Sequence, residues 1–182
     1  MRHTQSGKVA LCGILGALSV VLMLMGNLIP LATYCAPMLA AILLIPVLED
    51  YGSSTALLLY ASVAILGMLI MPDKEPALIY ALVLGYYPVL KKKIDTIHIA
   101  FLRVLCKIAV FSITMVFAYA LLIAVFAAPE LAAEFADGGR PMLVALFLMG
   151  NVAFLINDRA LAIVTVIYRL RIGPKLRRIL RY

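Results

Sequence analysis

Residues 8–30 read KVALCGILGALSVVLMLMGNLIP, with no charged side chain between Lys8 and Pro30. The apolar run from Val9 to Ile29, about 20 residues long, matches the ~30 Å hydrocarbon core of a bilayer at 1.5 Å rise per residue. A secretory signal core is roughly 7 to 15 residues long, and no small-x-small cleavage site follows this run. It therefore reads as a retained membrane helix, and the rest of the chain repeats its character.

Of the 182 residues, 65% are hydrophobic and 14% are charged, against about a quarter charged in an ordinary soluble domain. The pattern predicts an all-α integral membrane protein, a single transmembrane domain over residues 1–182 built as a six-transmembrane-helix bundle. The helices are expected over about 8–29, 34–48, 53–71, 76–90, 97–127 and 141–168, with a basic tail over 169–182. Each break has a physical signature. Pro30 ends the first run, Glu49-Asp50-Tyr51-Gly52 the second, and Pro72-Asp73-Lys74-Glu75-Pro76 the third. Lys91-Lys92-Lys93 with Asp95 follows the fourth, and the acidic stretch 129–140, with Gly138-Gly139, follows the fifth. Charges and helix breakers are excluded from lipid-facing backbone, so these stretches read as loops.

The bases set the orientation, because cytoplasmic loops near membrane segments carry the excess of Lys and Arg. Arg2, Lys8, Lys91 to Lys93, Arg103, Lys107, Arg169, Arg171, Lys175, Arg177, Arg178 and Arg181 fall on one side of a six-span arrangement; only Lys74 and Arg140 fall on the other. Both termini are expected in the cytoplasm. The net charge of +7 would suggest nucleic acid as a partner of a soluble chain; here the bases flank membrane segments and point to lipid and topology. The fifth run is longer than a span requires, so its first turns, with Arg103 and Lys107, are expected in the headgroup layer. The tail alternates bases with Leu170, Ile172, Leu176, Ile179 and Leu180. It suits anionic lipid or an acidic partner, or serves only as a topology signal.

No phosphate-binding loop, H-E-x-x-H, G-x-S-x-G or paired-carboxylate signature occurs. The chain is expected to be no enzyme and to have no catalytic residues. His3 and His98 are the only histidines, which leaves no histidine-rich metal site. Cys12, Cys35 and Cys106 are odd in number and far apart, and read as small apolar side chains.

Three groupings remain. Ala10, Gly13 and Ala17 recur at i, i+3 and i+7, making a shallow stripe on the first helix. It serves either packing within the bundle or docking of another subunit. Asn157-Asp158-Arg159 is the charge cluster inside the sixth run, and an ionisable group there is functional or paired. Its depth places Asp158 near Arg103 or Lys107, and a structural ion pair is the favoured reading. On the opposite half, Asn27, Tyr34, Asp73, Lys74, Glu75, Tyr80, Tyr119 and Asn151 are the polar or aromatic groups able to line an outward pocket. Each tyrosine also reads as an interfacial anchor, with Tyr80 the best exception.

Six short-looped helices with both ends inside and a small-residue stripe on the first helix resemble the substrate-binding S component of an energy-coupling factor (ECF) transporter. The stretches Lys8-Val-Ala-Leu-Cys-Gly-Ile-Leu-Gly-Ala, Asp73-Lys74-Glu75 and Gly85-Tyr86-Tyr87-Pro88 are similar to uncharacterised clostridial-type members of that group. The resemblance implies an ABC importer subunit that captures a vitamin-like or other small solute without a cofactor of its own. It further implies that Ala10, Gly13 and Ala17 dock on a transmembrane coupling subunit, while two ATPase subunits consume ATP. By position it places Asn27, Tyr34, Lys74, Tyr80, Tyr119 and Asn151 near the substrate. The alternative is a non-transporting structural subunit similar to the rod-shape-determining membrane protein, which needs a partner surface but no pocket.

Overall fold

A computed structural model describes residues 5–26, 32–126 and 139–175, and every regular element among them is helical. In chain order these are α1 (Gln5–Gly26), α2 (Ala32–Ile42), α3 (Ile45–Tyr51), α4 (Ser53–Ile70), α5 (Lys74–Ile79), a π-helical turn (Tyr80–Leu84), α6 (Tyr87–Ile94), α7 (Ala100–Phe126), α8 (Gly139–Ile167) and a second π-helical turn (Tyr168–Ile172). Five stretches among the described residues are long and apolar enough to cross a membrane: Gly7–Gly26, Ala32–Tyr51, Ser53–Ile70, Ala100–Val125 and Val144–Lys175. Their length and composition are those of a multi-pass membrane protein.

The fourth expected segment is not one continuous helix. Asp73 caps its start, its side chain accepting the Glu75 N–H at 3.0 Å. After six residues of α5 the backbone widens into the π turn, closed by Gly85 N–H donating to the Tyr80 carbonyl at 2.7 Å. Pro88 then stands in the first turn of α6, where its missing N–H breaks the ladder back toward Leu84. A π turn leaves a carbonyl without its usual donor. Here the Tyr60 hydroxyl, from α4, donates to the Ala81 carbonyl at 2.5 Å. Gly85 allows this approach, since a Cβ there would lie 2.6 Å from the Tyr60 ring.

Other boundaries shift for local reasons. Pro46 interrupts the second segment, so α2 and α3 are joined through a turn at residues 43–44 rather than a single run. Gly52, at φ 85°, turns the chain from α3 into α4; this is the left-handed region that favours glycine. Helix α6 continues to Ile94, which puts Lys91 to Lys93 in its last turn and not in a loop. Cations belong there, beside the negative end of the helix dipole. Helix α7 starts at Ala100, three residues later than expected, and α8 starts at Gly139.

Helix α1 packs most closely on α2, where a Cβ on Gly26 would come within 2.4 Å of the Ala36 Cβ. Its buried side carries Leu11, Gly16, Ser19, Val20, Met23 and Gly26. The core continues through Ala40, Leu44, Val47, Ala56, Val63, Ala77 and Tyr80. An aromatic stack joins three helices: Phe111 of α7 lies 4.4 Å from Phe154 of α8, which lies 4.7 Å from Tyr87 of α6.

Candidate functional site

Polar side chains gather at the two ends of the bundle. At one end, Tyr34 of α2, Glu75 of α5 and Tyr119 of α7 form a triangle. The Tyr34 hydroxyl donates to Glu75 Oε1 at 3.0 Å, the Tyr119 hydroxyl donates to the same oxygen at 2.9 Å, and the two hydroxyls lie 2.9 Å apart. A hollow beside the carboxylate, lined by Glu75, Leu78, Ile79, Ala118, Tyr119 and Leu122, has a volume of about 10 Å³, room for about one water.

Lys74, next in sequence to Glu75, turns elsewhere. Its ammonium donates to the carbonyls of Met68 at 2.9 Å and Met71 at 2.5 Å, closing the end of α4. Tyr80 also stands apart from the triangle. It is fully buried, its ring lies 6.0 Å from that of Tyr60, and its hydroxyl has no hydrogen-bond partner among the described residues. Asn151 lies between α7 and α8, its amide donating to the Phe147 carbonyl at 2.9 Å and its Oδ1 accepting from Ser112 at 3.2 Å. There it meets an apolar groove of about 460 Å³ lined by Ser112, Ile113, Val116, Phe117, Ala120 and Phe147. Asn27 and His3 lie outside the described residues. The structure thus brings together Tyr34 and Tyr119 from the expected set and adds Glu75 as their acceptor. Lys74, Tyr80 and Asn151 occupy separate places.

At the other end Asp158 sits in a four-charge ring in which Lys91, Lys107 and Asp158 are buried and Asp95 is exposed. Lys91 of α6 and Lys107 of α7 both reach it, Lys107 at 3.0 Å. Both lysines also contact Asp95, at 3.5 Å from Lys91 and 2.7 Å from Lys107. Tyr87 donates its hydroxyl to Asp158 at 2.6 Å. Two cations and two anions cancel, which is what burial of such groups requires.

The expected pairing needs one correction. Arg103 makes no salt bridge among the described residues, because it stands one turn from Lys107, about 6 Å along α7 toward its N-terminus. Lys91 takes that role. The i, i+4 spacing of Tyr87, Lys91 and Asp95 is the sequence signal for this shared face, hidden where the bases read as a loop. Nearby, Arg169 grips Glu49 through two hydrogen bonds of 2.6 and 3.0 Å, and Tyr168 donates to Asp50 at 2.5 Å. The first base of the tail is thereby tied to the end of α3.

On α1, Ala10, Gly13 and Ala17 are all exposed on the side away from the bundle, and a Cβ on Gly13 would meet nothing within 4 Å. Packing within the bundle uses the other side, through Gly16 and Gly26. Comparison with known proteins adds no family to this geometry: no family model matches the chain, and no curated protein and no solved structure matches it.

Proposed function

We propose that this chain is the substrate-capture subunit of an energy-coupling-factor-type importer in a bacterial plasma membrane. It would bind a vitamin-like or other small solute and perform no catalysis of its own. A coupling subunit and two ATPases that consume ATP would drive its transport cycle. The observation that carries the reading is the outward position of Ala10, Gly13 and Ala17. A stripe of small residues that the bundle does not use offers a neighbouring helix close backbone approach.

Six crossings with both termini inside suit the same geometry. Glu75 stands with Tyr34 and Tyr119, whereas Lys91, about 24 Å further along the fourth segment, stands with Lys107 and Asp158. Tyr119 and Lys107 are themselves about 18 Å apart along α7. The broken segment and α7 therefore run between the same two ends, which supports counting residues 74–94 as a crossing. The Tyr34 end would face outward and the lysine-rich end inward.

One observation favours a second reading, a structural membrane subunit without a ligand: the hollow beside Glu75 is too small for a solute unless the Tyr34–Glu75–Tyr119 triangle opens. Native mass spectrometry of the protein drawn gently from its own membrane separates the two. A coupling subunit with two ATPases, or a retained vitamin-sized ligand, is the expected result. Recovery of cell-shape proteins with neither would overturn the importer reading.

A further inference from the structure

We propose that the Tyr34–Glu75–Tyr119 cluster is a recognition site for a cationic ligand, an ammonium or similar positive group carried on an apolar body; this rests on the substrate-capture reading above. The argument starts at the Glu75 carboxylate. Both tyrosine hydroxyls donate to Oε1, and among the described residues Oε2 accepts from no protein donor and the carboxylate joins no salt bridge. Lys74, the cation nearest in sequence, is committed to the carbonyls of Met68 and Met71.

At the opposite end the treatment of acids differs. Asp95 and Asp158 are matched by Lys91 and Lys107, and Glu49 by Arg169 and Lys92. Glu75 is thus a half-buried anion with one carboxylate oxygen left for a partner. Two tyrosine hydroxyl oxygens stand beside it, and each keeps lone pairs that can accept from an ammonium. The rest of the hollow is lined by Leu78, Ile79, Ala118 and Leu122, which suits an apolar body behind the charge. An anionic ligand would meet Glu75 with like charge, and Asp73 stands two residues before it. Because the present hollow holds about one water, entry requires the side chains around Glu75 to move apart.

The test titrates the full-length chain in detergent with three probes of one shape: phenethylammonium, neutral 2-phenylethanol and anionic phenylacetate. Wild type is expected to bind the ammonium about tenfold or more tightly than the alcohol, and the carboxylate least. Glu75→Gln is expected to erase that preference. Glu75→Gln is also expected to keep wild-type affinity for the neutral alcohol, which guards against misreading a folding defect, and Arg103→Ala, outside the cluster, is expected to retain the preference. Equal affinity for the ammonium and the alcohol, no binding of any probe, or an undiminished preference in Glu75→Gln would each overturn the inference. Recovery of a coupling subunit from the native membrane is read separately. If it is recovered without a cation preference, the ligand class fails and the subunit reading stands; a cation preference without a coupling subunit is the reverse.

Discussion

Lys107 and Asp158, one on α7 and one on α8, meet at 3.0 Å with both side chains buried. Lys91 of α6 shares the same carboxylate. Three helices are therefore joined at one neutral cluster, and its members stand or fall together.

Asp158→Ala leaves two buried ammonium groups with only Asp95 between them. Breaking a buried pair from one side costs about 3 to 5 kcal/mol, because the remaining charge is left uncompensated. The variant is expected to melt well below wild type in detergent, whereas Arg103→Ala, outside the cluster, should shift stability by about 0.5 kcal/mol or less. Equal melting of Asp158→Ala and wild type would mean that the ring does not hold the bundle.

Two glycines on α1 separate packing from docking. Gly26→Ala places a Cβ 2.4 Å from that of Ala36, an overpacking that typically costs about 1 to 3 kcal/mol. Gly13→Ala meets nothing within 4 Å and should melt like wild type. Gly13→Leu should also fold, yet lose the coupling subunit in co-purification. Retention of that subunit would remove the stripe from the docking surface.

Tyr60→Phe removes the donor to the Ala81 carbonyl at the π turn. An unsatisfied buried carbonyl costs about 1 to 3 kcal/mol, and thermal melting should register a loss of that size. Gly85→Ala should be worse, because its Cβ would meet both the Tyr60 ring at 2.6 Å and the Tyr80 carbonyl at 2.8 Å.

What was legible in the sequence followed from periodicity and charge, and what was not depended on partners distant in sequence. The apolar run of α1, the break at Gly52 and the pairing of Asp158 with Lys107 each rest on local patterns or helix depth. The π turn at Tyr80 was hidden because it depends on Tyr60, a residue of another helix. Three consecutive lysines read as solvent-exposed chain, which hides Lys91, although its side chain turns inward to Asp158. Glu75 stood among the candidate polar groups, but its role as common acceptor for Tyr34 and Tyr119 needed three helices to be placed in space.

The sidedness of the broken fourth segment can be measured directly. In a chain with Cys12, Cys35 and Cys106 changed to Ala, Asp73→Cys and Lys93→Cys introduce thiols at two exposed positions flanking it. If residues 74–94 cross the bilayer, the two must lie on opposite sides. With the lysine-rich end inside, a membrane-impermeant maleimide should label Asp73→Cys in intact cells and Lys93→Cys only after permeabilisation. Labelling of both from outside would mean that the segment enters and returns on one face. The five long apolar stretches would then be the crossings among the described residues, the termini would lie on opposite sides, and the Glu75 and Asp158 ends could no longer be assigned to opposite faces of the membrane.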